Sequence, residues 1–371
     1  MSGILQGLLA SIGGAAGKPL YAWGSNGSGR LGDNTTTNRS SPVQIGSLDT
    51  WFKVSVGYAS STSIKTDGTL WMWGRNNDGQ LGNNTSSGDK SSPIQIGSDT
   101  NWSQSGTGGS ISAAIRTNGT LWAWGANGSG QVGDNTTIQR SSPVQIGALT
   151  NWSKISVGYN SCAAIKTDGT LWMWGYNRYA SAGKLGDNTT VNKSSPVQIG
   201  ALTNWSQVSC GAFNTTAIKT DGTLWAWGSN AFGQLGDGTI DYRSSPVQIG
   251  ALTNWSSVAC SVYGSFVISA KTDGTLWTWG RNNRGQLGDN TRVYKSSPIQ
   301  IGALTTWDKV ANCSESAAAI QTDKTLWTWG FNNIGQLGDD TIVNRSSPVQ
   351  VGSSSWNAIA GGRFHFIALG D

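Results

Sequence analysis

A Trp-Gly pair recurs at Trp23, Trp73, Trp124, Trp174, Trp227, Trp279 and Trp329, at intervals of 50, 51, 50, 53, 52 and 50 residues. A fixed period constrains a chain more than any local propensity, because self-similarity at about 40–50 residues marks supersecondary units stacked in an array or a ring. Two further tryptophan series keep the same step. One is Trp71, Trp122, Trp172, Trp225, Trp277 and Trp327, with Tyr21 in the first unit; the other is Trp51, Trp102, Trp152, Trp205, Trp255, Trp307 and Trp356. Together the three series account for all 20 tryptophans, so none is left for an unrepeated site.

Within a unit, TDGTLWxWG alternates large apolar and small residues after an Asp-Gly pair, a strong hairpin signal. The QIG segment and the stretch from NWxxV to AIK read as further strands, bounded by Gly, Asn and Ser-Ser-Pro loops. Three or four short antiparallel strands in about 50 residues is the content of one propeller blade. The C-terminal WNAIAGGRFHFIALGD is the segment that elsewhere precedes the Asp-Gly turn, and KPLYAWG is the strand that elsewhere follows it. Pairing the last strand with the first would close the ring and remove exposed sheet edges. The expected fold is all-β: a seven-bladed β-propeller over residues 20–371, closed by pairing of N- and C-terminal strands, after a short N-terminal helical segment within 1–19.

The pattern WGxNxxGQLGD, then SPxxIG, then VxxGxxHxxAL resembles the regulator of chromosome condensation repeat, and the resemblance runs over residues 20–371. It implies a seven-bladed propeller and, for function, a guanine-nucleotide exchange factor for a small GTPase with chromatin contacts. Members of that kind have diverged repeats and a basic tail, and neither is evident in this chain. His365 matches the repeat histidine of the family, whereas Ser60, Ile111, Ser161 and Ser316 stand at equivalent positions.

Catalytic chemistry has little to work with. His365 is the one histidine, so triads and histidine metal cages would rest on a single strand residue. Cys162, Cys210, Cys260 and Cys313 are about one repeat apart, without metal-ligand spacing, and read as buried thiols in four blades. Asp33, Asp134, Asp187, Asp237, Asp289 and Asp339 in LGD, and Asp67, Asp168, Asp221, Asp273 and Asp323 in the DG turns, read as turn-forming residues, with Asn83 and Asn118 replacing one member of each ring. No phosphate loop is present. The expectation is a non-enzyme without metal or cofactor. The formal charge is +5, but Lys and Arg never form runs, so nucleic acid is not the expected partner.

Three candidate contact regions follow. A basic residue precedes every Ser-Ser-Pro: Arg39, Lys90, Arg140, Lys193, Arg243, Lys295 and Arg345. This ring is either paired with the LGD aspartates six residues earlier or free to attract an anionic polymer. The fourth unit carries an insertion with Tyr176, Arg178, Tyr179 and Lys184, and the fifth a bulge with Tyr263 and Phe266; departures from a repeat mark binding surfaces. Ile4, Leu5, Leu8, Leu9 and Ile12 form one face of a short helix suited to attachment. With no Lys or Arg before Lys18, residues 1–17 lack a secretory signal, and they are too short to span a bilayer.

Richness in Asn, Thr, Ser, Gly and Trp with a single Glu, near-identical repeats and the N-terminal segment favour a structural or adhesive component of a large multi-subunit assembly such as a bacteriophage virion. Such a protein would dock through residues 1–17, on a virion or other extracellular surface. The alternatives are an exchange-factor-like regulator, cytoplasmic in location, and a carbohydrate-binding propeller recognising a host surface glycan.

Overall fold

In the computed structural model, residues 16–178, 182–261 and 263–371 are described; they form 28 strands, β1 to β28 in chain order, grouped in seven four-stranded sheets. The second blade is representative: β3 (Trp51–Val56), β4 (Ser60–Lys65), β5 (Leu70–Gly74) and β6 (Lys90–Gln95) pair in sequence. The third to seventh blades span residues 102–145, 152–198, 205–248, 255–300 and 307–350. The first is the closing blade, in which β27 (Trp356–Gly361) and β28 (His365–Gly370) meet β1 (Leu20–Gly24) and β2 (Arg39–Gln44). Its register is continuous, from Leu20↔Leu369 to Gly24↔His365. Lys18 adds an ion pair to Asp371 at 2.6 Å. Among the described residues no helix is long and apolar enough to cross a membrane, and residues 1–15, with Ile4, Leu5, Leu8, Leu9 and Ile12, lie outside the described part.

The first strands of neighbouring blades contact one another around the ring, so this strand is innermost. The fourth strand is outermost, and it contains the Ser-Ser-Pro segment expected to be a loop. Pairing jumps from Ala22↔Val43 to Gly24↔Arg39, so Ser40, Ser41 and Pro42 arch outward as a bulge. Proline is tolerated at such a place because an edge strand does not need every N–H. The bulge has a purpose: the amide of Asn34, from the preceding blade, donates to the carbonyl of Ser91 in the next blade's bulge at 2.7 Å.

The core is a set of layers between blades, not within them. Leu20, Ala22, Ile367 and Leu369 of the closing blade pack with Trp51, Val56 and Trp73 of the second. The Trp-Gly tryptophan is fully buried in each layer, and at Trp23, Trp73, Trp124, Trp279 and Trp329 its Nε1 donates to a carbonyl of the preceding blade, Gln80 O at 2.9 Å in the case of Trp124. The half-buried series serves another purpose. Lys65, Arg116, Lys166, Lys219 and Lys271 place their cations 3.6–3.9 Å from the ring centres of Trp71, Trp122, Trp172, Trp225 and Trp277. These five rings are therefore covered by a cation, whereas Trp327 has Gln321 at the corresponding place. All four cysteines are free and buried; Cys162, Cys210 and Cys260 lie in strands and Cys313 just after one.

An asparagine that the repeat contains but whose role spacing does not reveal organises each outer loop. Asn26 is fully buried; its Nδ2 donates to Asp33 Oδ1 at 2.9 Å and to Thr35 O at 3.1 Å, while its Oδ1 accepts from the amide of Leu31. Asn76, Asn127, Asn177, Asn230, Asn282 and Asn332 repeat the arrangement. The LGD aspartates complete the cage. Burial alone would push Asp33 and Asp134 up, but hydrogen bonds from Thr35, Arg39 and Asn26, and from Thr136 and Arg140, hold them below the ordinary aspartate value. Asp187, Asp237 and Asp339 behave likewise.

A carboxylate whose folded pKa lies below its unfolded one stabilises the fold fully above about pH 4 and ceases to do so as pH falls through the folded value. The thermal midpoint is therefore expected to stay level from about pH 7 to 5 and to drop below about pH 4. Calorimetry across that range checks this, with the drop shallower in an Asp134→Asn variant. A midpoint constant down to about pH 2 would contradict it.

Candidate interaction face

Because the strands of a blade alternate in direction, the links between first and second and between third and fourth strands emerge on one face. The DG turns and the linkers between blades emerge on the other. On that second face the turns are self-satisfied: Asp67 Oδ1 accepts from the amide and the hydroxyl of Thr69 at 2.9 and 2.6 Å. Five of the seven linkers carry one exposed leucine each, Leu48, Leu149, Leu202, Leu252 and Leu304, spaced singly around its circumference.

The first face differs because its innermost hairpin tips converge on the axis. Tip bonds to tip: the Tyr58 amide donates to Gly108 O and the Gly109 amide to Tyr159 O, both at 2.8 Å, and the Ser314 amide to Arg363 O at 3.1 Å. Glycine is needed for this approach; a Cβ on Gly158 would lie 2.6 Å from the carbonyl oxygen of Gly211. Tyr58, Tyr159 and Tyr263 come from the second, fourth and sixth blades, which share no border, yet their ring centres lie 5.4, 5.4 and 5.5 Å apart. Such distances arise only at the mouth of the central channel. Gly109 leaves room for the cluster, since a Cβ there would sit 2.7 Å from the ring of Tyr159. Edge-to-face tyrosines of this kind hold one another by the ring quadrupole.

Arginines surround the tyrosines. Arg363 lies over Tyr58, Tyr263 and Phe364, with its guanidinium carbon 4.5, 5.3 and 4.9 Å from the ring centres. Arg30 reaches the same mouth from the loop after β1, where other units have Gln or Lys184, and its Nη1 donates weakly to Tyr58 O at 3.5 Å. Burial first, then the charge of Arg363, pushes Arg30 down to about 10. Across the mouth, Glu315 faces Arg281 at 3.4 Å and Arg284 at 3.8 Å, and Arg284 covers Phe331, which packs on Phe364. His365 lies beneath, fully buried, with Nε2 3.3 Å from Ser61 Oγ. Burial, then Arg30, keeps its pKa well below the usual histidine value. A neutral histidine joining β28 to β4 is a packing residue.

The expected contact residues divide. Tyr176 is half-buried and Arg178 exposed, both on this face, and Tyr263 is in the tyrosine cluster. Tyr179 lies outside the described residues. Lys184 and Phe266 do not serve as expected. Lys184 is fully buried, donates from Nζ to Ala212 O at 3.0 Å, and is pushed down to about 8 by burial; it fills the place of the repeat glutamine, so the insertion precedes it instead of displaying it. Phe266 opens a second strand and packs in the layer with Trp307 and Trp329. Around the outer rim the basic residues meet the LGD aspartates: Arg39, Arg140, Lys193, Arg243, Lys295 and Arg345 form ion pairs. Lys90 has Asn83 where the others have Asp. A ring so compensated offers little free positive charge. Tyr58, Tyr159, Arg30, Arg363 and Phe364 were not singled out by repeat comparison, although their signal is present: the tips vary in residue type between strands that repeat.

The RCC1-like domain model matches residues 19–368. The ultraviolet-B receptor UVR8 of Arabidopsis thaliana is 28% identical over 304 residues, which is 80% of this chain and 69% of UVR8. The mitochondrial RCC1 domain-containing protein RUG3 of the same plant is 28% identical over 140 residues, 36% of this chain; the match spans only 31% of RUG3. Among solved structures, Prp20p of Saccharomyces cerevisiae, which binds Gsp1p and histones, superposes with a TM-score of 0.86 at 17% identity, covering 98% of this chain and 95% of that one. Human WBSCR16 gives 0.84 at 19%, covering 95% and 100%. With the repeat, the closed ring and the domain match in agreement, the chain belongs to the RCC1-like domain family.

Proposed function

We propose that this chain is a non-enzymatic binding propeller that engages a protein partner through the face on which the hairpin tips converge. One observation supports the reading above others: six of the seven blades send Tyr, Phe or Arg to that face around the axis. These are Arg30 and Arg363 from the closing blade, Tyr58, Tyr159 and Tyr176, Phe213, Tyr263 and Arg281, and Phe331. Tyr and Arg combine large contact area with directional polar groups, which is why they dominate interface energetics. The test is a photo-crosslinking amino acid placed at Tyr176 or, on the opposite face, at Leu202, in the protein's own host. Discrete protein adducts are expected from position 176 and none from 202. Adducts from 202 alone, or from neither, would overturn the assignment.

A second reading is the one the family implies, exchange on a small GTPase, and it is favoured by the likeness in fold to Prp20p, which binds Gsp1p. It requires faster nucleotide release from at least one member of a small-GTPase panel; uniform release rates would remove exchange and leave binding. The virion reading draws on composition and on residues 1–17, of which 1–15 lie outside the described part. None of the relatives named above supports it.

A further inference from the structure

We infer that the tyrosine-ringed mouth of the channel is a carboxylate-binding site, which takes an acidic side chain of the partner between Arg30 and Arg363. The inference rests on the protein-binding reading of this face and names the chemistry at its centre.

Three observations carry it. First, Arg30 and Arg363 have no carboxylate within ion-pair distance among the described residues, whereas three neighbouring arginines do: Arg75 has Asp78, and Arg281 and Arg284 share Glu315. Second, the Nε atoms of Arg30 and Arg363 are buried without an acceptor among the described residues, as are those of the neighbouring Arg75 and Arg281. A buried cationic donor without an acceptor is costly, and a carboxylate is the acceptor whose two oxygens match the guanidinium fork. Third, aromatic rings hold Arg363: its guanidinium carbon lies 4.5, 5.3 and 4.9 Å from the ring centres of Tyr58, Tyr263 and Phe364, which limits the directions its donors can take before any ligand arrives.

The surroundings favour a carboxylate over a phosphate. Phosphate sites are commonly built from successive backbone N–H groups. At this mouth the amides of Tyr58, Gly109, Ala212 and Ser314 are already used in bonds from tip to tip. What remains is planar side-chain forks and ring faces, suited to an acidic segment of a protein, with an aromatic or apolar neighbour able to rest on the tyrosines.

Binding of a fluorescein-labelled hexaglutamate peptide, followed by fluorescence anisotropy, tests the site. The wild-type chain is expected to bind it and to ignore hexaglutamine. Arg363→Gln should weaken binding roughly tenfold or more, because a hydrogen-bonded charge pair is lost. Arg292→Gln, which removes an exposed arginine from an outer loop, should change it less than about twofold. Arg30→Gln is the second variant, and thermal melting verifies that each remains folded. Equal weakening by Arg363→Gln and Arg292→Gln would show diffuse charge and overturn the site, as would failure of hexaglutamate to bind. Displacement by inorganic phosphate or single-stranded DNA at lower concentration than by free hexaglutamate would make it a phosphate site, again against the inference. Crosslinking from Tyr176 together with hexaglutamate binding indifferent to Arg363 would leave the interaction face standing and remove only the carboxylate site.

Discussion

Deleting residues 365–371 leaves a chain with no cooperative unfolding transition. The segment contains β28, which is not an edge: it pairs with β1 on one side and with β27 on the other. Phe366 is fully buried in the layer shared with the seventh blade, and Ile367 and Leu369 lie in the layer shared with the second. Each large side chain lost from such a layer costs about 2–5 kcal/mol. Three of them, with two strand ladders, match or exceed the 5–15 kcal/mol that separates a folded domain from its unfolded state. Calorimetry of the truncated protein checks this, and a soluble, sharply melting product would refute it. Lys18→Ala provides the contrast. It breaks the ion pair that also joins the two ends, but both partners are substantially exposed, so the loss should be at most about 1 kcal/mol. Closure resides in the β28 ladders and the layers they support, not in the charges beside them.

Gly82→Val is expected to destabilise the protein by about 2–5 kcal/mol, combining two costs of different origin. Gly82 has φ +74, in the left-handed region, where any side chain is strained by about 1–2 kcal/mol. A Cβ there would also lie 2.6 Å from Nε1 of Trp124, a fully buried ring that locks the third blade to the second. Gly46→Val separates the two terms. Its φ of +67 is equally left-handed, but no atom lies within 4 Å of the added Cβ, so only the backbone strain of about 1–2 kcal/mol applies. Urea denaturation of both variants decides the matter; if Gly82→Val costs no more than Gly46→Val, the tryptophan lock is not the source of the effect.

These two residues also show what was legible in the sequence. Whatever depends on one blade and its neighbour repeats, and repetition made it visible: the Trp-Gly series, the DG turns and the place of closure. The Ser-Ser-Pro segment was misread because proline and serine resemble loop residues. Their role as a bulged edge strand depends on the amide that the adjacent blade donates to Ser91. Phe266 and Lys184 were misread for a related reason. Each departs from its repeat, but each substitutes for a buried neighbour, so the irregularity is spent inside the wall. The mouth was the hardest to see. Tyr58, Tyr159 and Tyr263 are separated by 101 and 104 residues and by whole blades, and they meet only because seven tips converge on one axis. No periodicity encodes a contact between alternate blades.

The pairing of Leu20 with Leu369 also sets a timetable for the molecule. At about 5–20 residues per second, roughly 20–70 s of synthesis separates β1 from the strand that must lie beside it. During that interval β1 and β2 have only each other, and the inner edge of β1 presents bare N–H and C=O groups to any passing strand. The bulged proline of β2 guards one side of this waiting pair; the other side stays open until the ring is complete. The entropy of closing so long a loop grows only slowly with its length. The cost of a ring closed this way is therefore paid less in stability than in the time the first strand spends unprotected.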